Sequence, residues 1–357
     1  MENSFNKPVR LKTSRAWRTY LGGAMISALH GEVGEDGHFP EEWLMSTVTA
    51  RNAGREHIVE GECVISDTGM PFKDFLASNP DTLLGTEHAS RHGANPGVLV
   101  KLLDSAERLT LQVHPTKKAA RALFDSEYGK TECWHIIGTR TVNGESPCIY
   151  VGFKEGVTRA EWKRCFDEQD IPAMLACLHR IEVKVGDTFI IRGGVPHGIG
   201  AGCFLVEIQE PTDYTVRTER VTPSGLSVAD SMCHQGLGFE RMFDCFEYDG
   251  ASLEGTVAKY RVEPILTECG NNRVENIIYP EVTDLFALDK VTVSDSLTLK
   301  ADGRFYSLYV LDGSGTVNGA PFNKCDHYFI PASLGDLTVE NKGDTPLVFV
   351  RCYGPTA

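Results

Sequence analysis

Gly186-Asp-Thr-Phe-Ile-Ile-Arg192 is echoed late in the chain by Asp326-His-Tyr-Phe-Ile-Pro-Ala332. Each is an acidic residue followed by a short run of aromatic and β-branched side chains, the composition of a strand on a packed, pleated surface. The second copy follows Leu311-Asp-Gly-Ser-Gly-Thr-Val-Asn-Gly319 and completes a strand–turn–strand series. Two β-barrels of one kind produce such an echo. Working outward, further strand-like runs lie at 97–103, 109–114, 148–153, 204–209, 304–311 and 347–353, bounded by Gly, Pro, Asn and Asp. Turn signals recur between them, as in a sandwich or barrel.

Helical patterns are fewer. Residues 116–126 carry Ala119, Ala120, Leu123 and Phe124 at helical spacing. Thr158 opens a second helix, with Glu161 three residues on as a capping box and Trp162, Cys165 and Phe166 as the apolar stripe. A third is expected over 171–179. No strand–helix–strand alternation persists, which argues against a doubly wound parallel sheet. Pro223, Gly225, Gly236, Gly238 and Gly250 mark a change of composition, and beyond about residue 255 the pattern is almost purely β. The domain boundary is therefore placed at 240, giving 1–240 and 241–357.

At 357 residues the chain has length for two domains of ordinary size. Apolar residues make up 41% and charged residues 24%, the mix of a soluble globular protein. With 35 Lys and Arg against 49 Asp and Glu, the net charge is −14, which argues against non-specific binding to nucleic acid or an anionic membrane. An anionic small substrate would need cations gathered at its own site. No apolar run approaches the ~18 residues of a membrane span. The 11 cysteines are odd in number and form no C-x-x-C, so they read as small buried thiols. Lys7, Arg10, Lys12, Arg15 and Arg18 before a mildly apolar 20–29 have the outline of a signal peptide, but the stretch is short and interrupted by Gly22 and Gly23. The expectation is a cytoplasmic protein.

Four segments offer chemistry. In Leu109-Thr-Leu-Gln-Val-His-Pro115, strand geometry projects Gln112 and His114 to one face and packs Leu111 and Val113 on the other. An amide oxygen and an imidazole nitrogen side by side suit a divalent metal, although a polar pair at a barrel mouth has the same pattern. Gly129-Lys-Thr-Glu-Cys-Trp-His135 puts Lys130 and Glu132 on one face, as a surface ion pair also would. Gly193-Gly-Val-Pro-His-Gly-Ile-Gly200 sets His197 among glycines whose backbone can be approached closely. Glu207-Ile-Gln-Glu-Pro-Thr-Asp-Tyr-Thr-Val-Arg217 supplies Asp213 and Arg217. Each segment alone has an ordinary structural reading. Their joint content is a zinc site with an open position beside cations suited to a phosphate. Two other patterns carry less. His88 and His92 are read as a short exposed turn, and Gly198-Ile-Gly-Ala-Gly202 lacks the following helix of a dinucleotide loop.

Gln112-Val-His-Pro115, Gly129-Lys-Thr-Glu132, Pro196-His-Gly-Ile-Gly200 and Glu207-Ile-Gln with Asp213 and Arg217 occur in order, and together they resemble the type I mannose-6-phosphate isomerases, most of all their short bacterial form. The resemblance runs from Leu21-Gly-Gly23 to Arg351-Cys-Tyr353. It implies a mainly β protein of two cupin (jelly-roll β-barrel) domains, a metal-bearing first with helices inserted in or flanking it, and a metal-free second. It implies one zinc ion per chain on Gln112, His114, Glu132 and His197, with Lys130 beside the metal. Arg217 would be the catalytic arginine accompanied by Asp213, and Thr110 would stand near the sugar phosphate. Lys117-Lys118, Val216 and Arg192 depart from the family's usual residues without touching a proposed ligand.

The reaction so implied interconverts mannose 6-phosphate and fructose 6-phosphate through a cis-enediolate. A metal polarises the sugar oxygens, and Arg217 and Lys130 stabilise negative charge or hold the phosphate. Asp213, metal-bound water and Lys130 are all candidates for the proton-transferring group. Competing readings are an isomerase of another sugar or sugar phosphate and a non-catalytic sugar-sensing cupin. The expected partner is a small sugar phosphate, with no nucleic acid or membrane, on a monomer or homodimer.

Overall fold

The strand Cys203–Gln209 is buried at every position although side chains alternate between its two faces. Phe204, Val206 and Ile208 enter one apolar cluster, while Cys203 and Leu205 enter another. A strand of this kind has a core on each side, and that arrangement organises the molecule. The computed structural model describes residues 7–356. Among them, strands form sheets of eight, six, five and four members.

The six-stranded sheet contains Thr188–Ile191, Glu132–Thr139, Cys203–Gln209, Leu99–Asp104, Glu41–Leu44 and Ser14–Ala16, in that order. Its inner face packs on the five-stranded sheet of Val216–Arg217, Gln112–Val113, His197–Ile199, Cys148–Phe153 and Leu178–Glu182. Leu103, Trp134, Ile136, Ile191 and Leu205 there meet Ile149, Val151 and Ile199, which makes the first barrel. The eight- and four-stranded sheets enclose a second cluster that includes Val291, Leu308, Val310 and Phe349 on one side and Val317, Phe322 and Val339 on the other. The largest cluster lies between the two barrels, where Val100, Val206 and Ile208 pack against Leu288, Phe329 and Val350. Double burial explains why the central strands read as nearly continuous apolar runs.

One strand of the eight-stranded sheet comes from the start of the chain. Val9–Lys12 pairs antiparallel with His327–Ile330, placing Val9 opposite Phe329, and its other edge takes Val64–Ile65. The echoed segments differ in position: Thr188–Ile191 is the edge strand beside Glu132–Thr139, whereas His327–Ile330 lies between Tyr306–Asp312 and Val9–Lys12.

The expected helices form at Lys117–Phe124, capped by the Thr116 side chain, and at Arg159–Glu168, capped by Thr158. Three readings change. Residues 109–114 are regular strand only at Gln112–Val113, because the flanks bond singly to Ile199 and Thr218. The third helix ends at Ala176, and Leu178–Glu182 pairs with Cys148–Phe153 instead. His88 and His92 lie on a helix, Thr86–His92, not in an exposed turn. His88 is buried there, with Nε2 2.8 Å from the Asn95 carbonyl oxygen. No third donor joins them in a metal-binding cluster among the described residues.

Candidate metal centre and its cavity

His114, Glu132 and His197 converge inside the first barrel, and one donor atom from each lies within 4.8 Å of the others. They come from both walls. Glu132 begins a strand of the six-stranded sheet, whereas His197 begins a strand of the facing sheet and sits directly opposite Gln112. Arg217 lies opposite Gln112 on its other side, so Arg217, Gln112 and His197 form one rung across three strands. The loops bearing the two histidines are joined by a hydrogen bond of 2.8 Å from Gly194 N to the His114 carbonyl. Glycine is required here. A Cβ on Gly193 would lie 2.6 Å from Pro115 O, and Gly194 holds φ +89°.

Both imidazoles are oriented by their second nitrogen. His114 Nδ1 donates to Tyr214 O and His197 Nδ1 to Val195 O, each at 2.8 Å, which leaves Nε2 as the free acceptor on both rings. Burial, and for His114 also the Lys130 ammonium, keeps the rings neutral; His114 is drawn down to about 3. Burial by itself would raise Glu132, but Lys130 and the adjacent histidines outweigh it and hold the carboxylate well below its ordinary range. Neutral imidazole and ionised carboxylate are the protonation states a metal ligand needs.

A lysine reaches two of the three donors. Lys130 Nζ lies 2.8 Å from His114 Nε2 and 2.9 Å from Glu132 Oε2, and that oxygen accepts no well-directed hydrogen bond. Gln112 Nε2 is 3.3 Å from His197 Nε2, and a half-turn of its amide presents the oxygen instead. The donor set therefore fits a divalent ion of zinc type.

Around these residues runs a line of buried charge. Arg18 donates to both oxygens of Asp213, at 3.0 and 2.8 Å, and lies 3.2 Å from Glu41. Lys101 pairs with Glu207 at 3.0 Å, and Glu207 stands 4.0 Å from Lys130. Tyr20 and Trp43 each donate to Glu41 at 2.7 Å. Arg217 differs from the other cations: its guanidinium donates to the Thr215 and Met232 carbonyls, each at 3.1 Å, and forms no ion pair among the described residues. Burial and the neighbouring Arg18 draw it down to about 10, so it remains charged at neutral pH. Burial also raises Glu207, against the pull of Lys101.

Thr110, Gln112, Lys130, Glu132 and Arg217 all face one cavity. Asp213 does not line this cavity but a neighbouring one, and both its oxygens are engaged by Arg18, Oδ2 also receiving the Arg51 N–H at 3.0 Å. His135 points to the opposite face of its strand and meets Thr188 Oγ1 at 2.9 Å. Sequence reasoning passes over Arg18, Glu41 and Lys101 and gives Glu207 no role. The available signal was a single charge within an apolar strand, as in Val98-Leu-Val-Lys-Leu-Leu103 and Leu205-Val-Glu-Ile208.

The first barrel thus carries a His–Glu–His donor set on its inner walls. Residues 275–350 match the family model described as mannose-6-phosphate isomerase, cupin domain. The chain is 28% identical over 258 residues to the mannose-6-phosphate isomerase ManA of Bacillus subtilis (strain 168), covering 68% of this chain and 71% of that protein. The crystal structure of the mannose 6-phosphate isomerase from Bacillus subtilis superposes with a TM-score of 0.75 at 19% identity, over 98% of this chain and 100% of that one. A zinc-bound mannose 6-phosphate isomerase superposes at 0.70 with 13% identity, covering 98% of this chain and 99% of that one. The fold is thus mainly β and cupin, and the chain resembles the mannose-6-phosphate isomerases as its motifs imply.

Proposed function

We propose that this protein is an aldose–ketose isomerase that interconverts D-mannose 6-phosphate and D-fructose 6-phosphate. One zinc ion per chain would be held by Gln112, His114, Glu132 and His197. The observation that carries the reading is the convergence of neutral His114 and His197 on ionised Glu132, which itself lines a cavity together with Lys130 and Arg217. The resemblance to proteins named mannose-6-phosphate isomerase supplies the substrate. Residues 1–240 would form the catalytic domain and 241–357 a domain without a metal, in a cytoplasmic enzyme.

The metal, when bound, supplies Lewis-acid polarisation of adjacent sugar oxygens. The chain does the rest. Arg217, with no carboxylate partner among the described residues, stabilises the negative charge that develops as the proton leaves the sugar carbon. Thr110 and the cavity cations hold the anionic substrate. Lys130 and Glu207, 4.0 Å apart and both facing the cavity, are the candidates for moving the proton between C2 and C1.

The test is direct. Purified, zinc-loaded protein is given mannose 6-phosphate, mannose and other aldose phosphates, and ketose formation is followed for each. Conversion of mannose 6-phosphate to fructose 6-phosphate is expected. Turnover of a different sugar alone would redirect the assignment to another isomerase, and metal binding without any turnover would indicate a sensing protein.

A further inference from the structure

Two cavities adjoin at the first barrel. The inner one, which holds Lys130, Glu132 and Arg217, has a volume of about 30 Å³. The outer, from Arg51 and Asn52 across to Tyr128 and Gln235, has about 680 Å³. Sites for small molecules usually occupy roughly 300 Å³ or more. A hexose phosphate therefore does not fit the inner cavity with its side chains as they stand.

The linings of the two are bonded to each other. Asp213 and Met232 line the outer cavity, and each is bonded to an arginine that lines the inner one. Arg217 Nη1 donates to the Met232 main-chain carbonyl at 3.1 Å, a contact tied to the backbone. Arg18 meets the Asp213 carboxylate through two parallel bonds of 3.0 and 2.8 Å, a contact between side chains alone. The second can exchange partners without any movement of the main chain.

We propose that the Arg18–Asp213 pair is a latch opened by the substrate's anionic end: a phosphate replaces the Asp213 carboxylate on the Arg18 fork, and the two cavities merge into one substrate site. The proposal rests on the sugar-phosphate reading above. A guanidinium accepts phosphate or carboxylate in the same two-pronged geometry, so the exchange keeps both hydrogen bonds and brings more negative charge to the arginine. Glu41, 3.2 Å from Arg18, stays available to it as a second anionic neighbour. Asp213 has the Arg51 N–H as a further partner and already lines the outer cavity. An uncharged hexose offers no such exchange, because it would leave a buried arginine and a buried carboxylate each short of a partner. Arg18 is thus a specificity-determining residue that separates phosphorylated from free sugars.

Zinc-loaded wild type, R18Q, R18K and D213N are compared by their KM for mannose 6-phosphate and by calorimetric titration with inorganic phosphate. Loss of charged hydrogen bonds should weaken phosphate binding and raise KM by about tenfold or more in R18Q. R18K, which keeps the charge and loses the fork, should fall between R18Q and wild type and stands in if R18Q does not fold. D213N, which weakens the latch, should bind inorganic phosphate several-fold more tightly. Unchanged phosphate binding in folded, zinc-loaded Arg18 variants would overturn the latch, as would weaker binding in D213N. If wild type fails to turn over mannose 6-phosphate, the functional reading fails, and the phosphate titrations still decide the latch.

Discussion

Arg217 stands directly opposite Gln112 in the ladder between Val216–Arg217 and Gln112–Val113, its guanidinium held by main-chain carbonyls and, among the described residues, by no carboxylate. Its charge is therefore available to a negative group in the cavity. Arg217→Lys keeps a cation but not the planar fork. The expected result is a fall in kcat of about 10²–10³-fold, the range found when a preorganised donor to a developing oxyanion is removed. Melting temperature and zinc content should stay at wild-type values. Near-normal turnover would show that Arg217 plays no part in the transition state.

Metal binding should also register as stability. A ligand that binds only the folded state stabilises it by ~2.7 kcal/mol at a hundred times its dissociation constant. Zinc added to chelated wild type should raise the melting temperature, and the rise should largely disappear in His197→Ala. An equal rise in that variant would place the ion elsewhere.

Between the barrels, Glu42 receives His30 Nε2 at 2.8 Å, Arg15 Nε at 3.2 Å and Tyr309 Oη at 3.2 Å. Hydrogen bonds to Cys325 and Glu42 raise His30 to about 10, and Glu42 is lowered because these partners outweigh its burial. A raised histidine contributes fully below its unfolded value of 6.5 and loses that contribution as pH climbs toward 10. A lowered carboxylate contributes above its unfolded value of 4.5 and loses it as pH falls. The stability gap between wild type and His30→Gln, measured by urea unfolding, should therefore be largest near pH 5–6 and shrink toward pH 10. A gap that widens with pH would contradict this assignment.

Much of the architecture was legible because the echoed segments, the strand-like runs and the Thr116 and Thr158 caps are local signals. The four motifs likewise supplied Gln112, Lys130, Glu132 and Arg217, which line one cavity, and His114 and His197, which converge on Glu132. What stayed hidden depends on long-range pairing. No local pattern says that Val9–Lys12 will join a sheet formed mainly after residue 264, or that Leu178–Glu182 will leave a helical pattern to pair with Cys148–Phe153. Arg18 was read as one of several basic residues near the start of the chain. Its partner Asp213 lies 195 residues away, a separation that only the folded barrel closes.

The joining strand yields its own prediction. Leu11 is 4% exposed and packs into the cluster between the barrels. Leu11→Ala should cost about 2–5 kcal/mol in urea unfolding, as for other buried leucines. A loss below about 0.5 kcal/mol, the level of an ordinary surface change, would mean that the strand does not help hold the barrels together.

The central claim is that His114, Glu132 and His197 hold a metal on which isomerisation depends. It is tested most directly by following fructose 6-phosphate formation from mannose 6-phosphate before chelation, after chelation and after returning one equivalent of zinc per chain. The prediction is activity that vanishes and is restored, with no restoration in Glu132→Gln. Activity that survives complete removal of bound metal would contradict the account.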